Sequence, residues 1–314
     1  MGSYARMGLA GIMSCGVLLT AVIIGRPDGD SSDGSHKKDE RPQPGPYVAL
    51  GDSYTSGPKI AQQTGRPAGC DRSDHNYPSL VARQLGIRAA DFRDVSCSGA
   101  TIASLTAPQT TANGVNPAQL SALSEQTRLV TLGMGGNDVG FGSTVTMCVT
   151  AGMVYRATGS GRVFSDKAPC KKAYVDDGTD EVARKIHATG RRLSTALDEI
   201  QRRAPKARVY VVGYPAIVPA EGKGCDGDIP LAPGDATYLH DKERQLNTML
   251  REQAEAAGST YVDTYAPSVG HDACSPGNTR WIEPLRPGSP AAAVHPNARG
   301  EQGMADAVLR AVGG

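Results

Sequence analysis

Four short blocks in this chain carry the residue types that acyl transfer needs. Gly51-Asp52-Ser53-Tyr54 places a hydroxyl where an apolar run breaks into a turn, and Val294-His295-Pro296-Asn297 supplies an imidazole near the C-terminal end. Between them, Cys97-Ser98-Gly99-Ala100 and Gly135-Gly136-Asn137-Asp138 offer backbone N–H groups and a side-chain amide. Ester hydrolysis requires a nucleophile, a base that takes its proton and returns it to the leaving group, and donors aimed at the developing oxyanion. Ser53 is the candidate nucleophile and His295 the candidate base and acid. The backbone N–H groups of Ser53 and Gly99 and the amide of Asn137 are the candidate oxyanion donors. Taken singly, Gly-Asp-Ser-Tyr reads as a polar turn and Gly-Gly-Asn-Asp as a tight turn. Their joint occurrence, in order, is what points to chemistry.

The elements that must position these blocks alternate along the chain. Short β-branched or apolar runs recur at residues 47–50, 92–95, 129–132, 209–212 and 260–262, and helix-like stretches at 76–85, 117–125, 180–203, 236–257 and 297–312. Strands alternating with helices imply parallel βαβ units with right-handed crossovers, and so a three-layer α/β/α sandwich. With a flavodoxin-like strand order of 2-1-3-4-5, the loops after the first three strands converge, and Ser53, Gly99 and Asn137 face one another beyond the strand ends. Residues 139–175 form the longest break in this rhythm and read as a long, Gly-containing excursion, either a substrate-pocket wall or a disulfide-pinned surface loop.

Composition bounds the rest. At 314 residues, 39% hydrophobic and a net charge of +1, the chain can bury one catalytic domain and lacks the basic footprint of a nucleic-acid binder. Residues 8–24 are an uncharged apolar run behind Arg6, read as part of a signal peptide or N-terminal membrane anchor at 1–25. Cys15 lies too early in that run for a lipoprotein site. A Gly/Ser/Asp/Lys/Pro-rich disordered linker follows at 26–46, and the catalytic domain spans 47–314. Of seven Cys, setting Cys15 aside leaves Cys70, Cys97, Cys148, Cys170, Cys225 and Cys274, an even set in an exported chain. Sequential disulfides are expected, because each pair then brackets one loop-rich insertion. Zinc is disfavoured by the lack of any Cys-x-x-Cys spacing. His75 beside Asp71 and Asp74 could suggest a cation site, which a polar loop explains more simply. Asp52 reads as a structural cap, and Trp281 as packing under the His295 loop or lining the pocket.

The four blocks, spanning nearly all of the exported chain, resemble those of the SGNH (GDSL) hydrolases, and in particular of secreted actinobacterial lipases and esterases. That resemblance implies a flavodoxin-like five-stranded parallel sheet, Ser53 as nucleophile, Gly99 and Asn137 as oxyanion residues, His295 as base, and no metal or organic cofactor. One departure stands out: many members carry Asp three residues before the His, where this chain has Ala292. In some actinobacterial relatives a backbone carbonyl just upstream orients the imidazole instead, a role open here to Ala292 or Ala293. A remote carboxylate, Glu283 or Asp272, is the alternative orienter. A neutral acceptor stabilises imidazolium less than a carboxylate does, so His295 is expected to be the weaker base, with activity at neutral to alkaline pH. The expectation is a monomeric, secreted or outer-face-anchored serine ester hydrolase of lipase or esterase type, acting on a small-molecule or lipid ester. Phospholipase A or carbohydrate acetylesterase activity is the alternative within the same chemistry. A non-catalytic surface-binding protein on the same scaffold is the rival from another class.

Overall fold

The computed structural model describes residues 45–158, 167–221, 225 and 227–313. The leader expected at 1–25 and nearly all of the linker expected at 26–46 lie outside the described residues. Five parallel strands form the central sheet: β1 (Tyr47–Gly51), β2 (Phe92–Asp94), β3 (Leu129–Gly133), β4 (Arg208–Val212) and β5 (Thr260–Val262). Their order is β2-β1-β3-β4-β5, the flavodoxin-like order expected from the sequence. β1 and β3 are buried at every position, as strands covered on both faces must be.

The period-two alternation divides the core. Tyr47 and Ala49 face one layer, where α2 (Tyr77–Gln84) and α7 (Ala298–Gly313) contribute Tyr77, Val81, Met304 and Val308. Val48 and Leu50 face the other, against Ile186 and Leu193 of α5 (Glu181–Arg203) and Leu246 and Leu250 of α6 (Pro233–Ala256). A fully buried side chain of this size contributes about 1.5–3 kcal/mol.

Helix ends follow side-chain chemistry. Asn76 accepts from Ser79 N and caps α2, and Asp180 accepts from Ala183 N and caps α5. α6 starts at Pro233, earlier than the expected Ala236, because Pro pre-sets the backbone at the first helical position. The helix expected at 117–125 is only a 3-10 turn over Gln119–Ala122. There the Gln119 amide is buried and clasps Gly51, its Oε1 taking Gly51 N at 2.8 Å and its Nε2 donating to Gly51 O at 2.9 Å.

The excursion expected at 139–175 is largely helical. α3 (Gly136–Val139) leads into α4 (Phe141–Ala157), and a short helix spans Pro169–Tyr174. Thr, Val and Gly weaken the local helix signal, but Phe141, Val145, Cys148 and Val149 are buried, so packing overrides propensity. Disulfides join Cys70 to Cys97, Cys148 to Cys170 and Cys225 to Cys274. Among the described residues no helix is long and apolar enough to cross a membrane.

Candidate active site

Ser53 opens the single-turn helix α1 (Ser53–Ser56), directly after β1. The turn needs glycine at 51, since a Cβ there would lie 2.5 Å from Thr55 Cβ and 2.8 Å from Gly133 O of the neighbouring strand. Asp52 closes the first turn through Tyr54 N, as a cap should. Ser53 Oγ lies 2.8 Å from His295 Nε2. On the far side of the ring, His295 Nδ1 lies 2.7 Å from Ala293 O. A carbonyl only accepts, so Nδ1 carries the proton and Nε2 of the neutral ring is the acceptor facing Ser53.

The loop bearing His295 is tied down at several points. Val294 N donates to Glu283 O and Glu283 N to His295 O, while Ala292 N donates to Pro58 O. Tyr54 OH donates to Val294 O at 2.6 Å, and its ring lies against the imidazole with centroids 4.9 Å apart. Val294 has φ +58°, a left-handed conformation that is a true outlier for a β-branched residue. The two carboxylates weighed as orienters are occupied elsewhere. Glu283 accepts from Gly288 N, Ser289 N, Ser289 Oγ and Asn297 Nδ2, and those bonds hold its carboxyl below the usual range despite burial. Asp272 accepts from Cys274 N. Trp281 packs beneath the loop rather than into the pocket: its carbonyl accepts from Asn297 N, its ring stacks on His271, and it fills the space over Gly303 of α7.

Gly99 and Asn137 line the same cavity as Ser53 and His295, a space of about 600 Å³. Gly99 adopts φ +76° and Gly135 φ +128°, conformations that favour glycine. Among the described residues neither Ser53 N nor Gly99 N makes a backbone hydrogen bond. Asn137 Nδ2 donates to Ala100 O at 2.9 Å, which fixes the amide plane and leaves its second N–H for another acceptor. Asp138 accepts from Ile102 N at 3.0 Å and lies 3.5 Å from Arg192, fastening this loop to the Gly99 loop.

A buried relay absent from the sequence reading joins the first and third blocks. Gly136 N donates to Tyr214 OH at 2.8 Å, and Tyr214 OH donates to Asp52 Oδ2 at 2.6 Å. Burial pushes the Asp52 carboxyl up to about 7, against the opposing pull of the Tyr214 and Tyr54 hydrogen bonds. Burial also lowers the His295 pKa below 6.5; the Ala293 hydrogen bond opposes that shift and the Lys59 charge adds to it. The ring is therefore neutral at pH 7, able to take a proton from Ser53. A weaker base stays neutral to lower pH, so the acid side of its working range widens, a consequence the expectation of neutral to alkaline activity did not capture.

The apolar part of the cavity is built by Phe141 and Val145 of α4 with Ile217, Leu246 and Leu285. The 139–175 segment thus supplies a pocket wall. His75 pairs with Asp74 at the surface, and Asp71 lines the cavity instead of joining them. Cys148, Cys170 and Asp235 come together, but the sulfurs are joined and Asp235 accepts from Cys170 N and Lys171 N, so the cluster caps a helix.

Residues 49–302 match the GDSL-like Lipase/Acylhydrolase family. "Lipase 2" of Streptomyces coelicolor is 41% identical over 269 residues, covering 85% of each chain. The fold is similar to a phospholipase A1 from Streptomyces albidoflavus NA297, with a TM-score of 0.68, 28% identity, and coverage of 85% of this chain and 98% of that one. It is equally similar to an extracellular lipase from Streptomyces rimosus, with a TM-score of 0.67, 26% identity, and coverage of 84% and 98%. The sheet order, the order of the four blocks and a match running through most of the domain place this chain in the GDSL-like lipase/acylhydrolase family, as an ester hydrolase.

Proposed function

We propose that the chain is an exported carboxylic-ester hydrolase of lipase or esterase type that works through an acyl-enzyme on Ser53. The observation that carries this reading is the line Ala293 O–His295–Ser53 Oγ, with spacings of 2.7 and 2.8 Å, at the wall of a largely apolar cavity. Ser53 Oγ attacks the acyl carbon as its proton moves to His295 Nε2. The oxyanion of the tetrahedral intermediate takes hydrogen bonds from Ser53 N–H, Gly99 N–H and Asn137 Nδ2. In other enzymes one such donor is worth about 2.7–4 kcal/mol of barrier. Collapse expels the alcohol, which receives the proton from His295, and water then repeats the sequence to free the acid and Ser53. The Ala293 carbonyl fixes the tautomer and takes the place of the carboxylate that many relatives carry three residues before the His.

The wall formed by Phe141, Val145, Ile217, Leu246 and Leu285 favours acyl chains over acetyl groups, in line with relatives named as lipases. Phospholipase A1 activity is the second reading, favoured by the named activity of the Streptomyces albidoflavus neighbour. Export from the cell rests on the apolar run at residues 8–24, on the disulfides and on the extracellular relative. The test is hydrolysis of p-nitrophenyl esters from acetyl to palmitoyl, and of phosphatidylcholine, by parent and Ser53→Ala protein. Turnover peaking at medium or long chains and abolished in Ser53→Ala supports the reading. Equal inertness of both proteins, with disulfides formed, overturns it.

A further inference from the structure

One side chain outside the four blocks holds the Gly99 loop. Gln109 Nε2 donates to Ser98 O at 2.8 Å. Because that carbonyl only accepts, the amide orientation is fixed, with Nε2 toward the loop and Oε1 away from it. Oε1 is buried and has no hydrogen-bond partner among the described residues. Ser98 C=O and Gly99 N–H are opposite ends of one planar trans peptide, so whatever aims the carbonyl also aims the N–H, in the opposite direction. Glycine at φ +76° does little to stop that peptide from swivelling. Among the described residues, and apart from its chain neighbours, the one atom within 4 Å of an ideal Cβ on Gly99 is Gln109 Nε2, at 3.8 Å.

The amide itself stands on a rigid base. Gln109 belongs to a two-stranded hairpin, Gln109–Thr111 with Gly114–Asn116, and its partner across the ladder is Asn116. Asn116 is buried, donates to Val95 O at 3.1 Å and accepts from Arg72 at 3.4 Å, which ties the hairpin to the end of β2. β2 in turn leads into the Gly99 loop, so amide and peptide share one frame.

We propose that Gln109 is a positioning residue that holds the Ser98–Gly99 peptide so that Gly99 N–H points at the oxyanion; the inference rests on the reading of Gly99 as an oxyanion donor. A buried carbonyl oxygen without a partner is unfavourable for folding. An apolar side chain of similar length at 109 removes that unpaired oxygen but also the donor to Ser98 O, two effects of opposite sign, so stability should change little while the peptide loses its anchor.

Two variants test this in the full chain, Gln109→Met, which is apolar, and Gln109→Glu assayed at pH 8, which keeps the shape but cannot donate. Complete loss of one oxyanion donor costs about 10²–10³-fold in kcat, and a swivelling donor is partly lost, so a fall of about 10- to 100-fold is expected in both. KM for p-nitrophenyl butyrate should stay within about twofold. The affinity of an alkyl boronic acid, whose tetrahedral adduct on Ser53 uses the same donors, should fall in step with kcat. The thermal midpoint of Gln109→Met should stay within about 2 °C of the parent's. Parent-like kcat in both variants, with the parent active and Ser53→Ala dead, overturns this inference alone. A fall of kcat and thermal midpoint together in both variants overturns it in favour of a scaffold role, and a parent enzyme inert toward all esters overturns it together with the reading of the site.

Discussion

Tyr54→Phe isolates one hydroxyl that holds the imidazole loop. The ring stays, so its packing against His295 at 4.9 Å and against Tyr214 at 5.2 Å is kept, and only the 2.6 Å bond to Val294 O is lost. A hydrogen bond of this kind contributes about 0.5–1.5 kcal/mol net, and leaving a half-buried carbonyl partly unsatisfied brings the expected loss to about 1–2 kcal/mol. In a domain of this size each kcal/mol shifts the thermal midpoint by about 2–4 °C, so a fall of about 2–8 °C is expected. The effect on rate comes from strain. Val294 is held at φ +58°, which costs about 1–2 kcal/mol for an L-residue, by the Tyr54 hydroxyl and the Glu283 carbonyl. With one clamp gone the loop relaxes, and about 1.4 kcal/mol of relaxation leaves the Ser53-facing ring roughly tenfold less populated. kcat for p-nitrophenyl butyrate should fall about tenfold with KM little changed, measured beside thermal unfolding of the same samples. A thermal midpoint that falls as expected with kcat within twofold of the parent would refute the claim that this hydroxyl positions His295.

The lowered His295 pKa places the acid limb of kcat/KM below pH 6.5, because the neutral ring is the active form and activity is lost as pH falls through that value. Two other carboxyls of the cavity can titrate in that region, Asp52 at about 7 and Glu243, which burial pushes well above the usual carboxylate range, so the limb should persist in Asp52→Asn and in Glu243→Gln; a limb centred at 7 or above that vanishes in either variant reassigns it. Ala292→Asp restores the carboxylate that many relatives have, and should raise the limb by about 1 unit or more through stabilised imidazolium, an unmoved limb meaning that position 292 does not face the ring. Glu283→Ala removes the acceptor for four donors around the His295 loop and should cost about 3 kcal/mol or more in chemical denaturation, with activity falling as the loop loosens. A loss under 1 kcal/mol would show that solvent replaces those bonds.

What could be read from sequence was local, and what could not was made by contacts between distant segments. Ser53 and His295 announce themselves through short blocks, and the five strands through dense apolar runs that a sheet buried on both faces requires. Nothing local marks Tyr214, whose hydroxyl meets Asp52 across 162 residues, or Gln119, whose amide clasps Gly51 across 68. Ala292 and Ala293 could not be told apart in the sequence because every residue carries the same carbonyl; backbone direction favours Ala293 for the proposed role, with Ala292 N–H turned to Pro58 O and Ala293 O toward the ring. α4 was missed because its Thr, Val and Gly content argues against a helix, while its buried face favours one only after α6 and the Cys148–Cys170 link are in place. The early start of α6 was legible in Pro233, had proline been read as a helix opener.

Ser53 activated by His295 is tested covalently, by treating the disulfide-intact protein with a fluorophosphonate ester at pH 7.5 and locating the label by peptide mass spectrometry, with and without His295→Ala. Stoichiometric modification of Ser53 is expected in the parent, with a labelling rate lower by about 10³-fold or more when the base is removed. No label, label at another serine, or labelling of Ser53 at the same rate without His295 would contradict it.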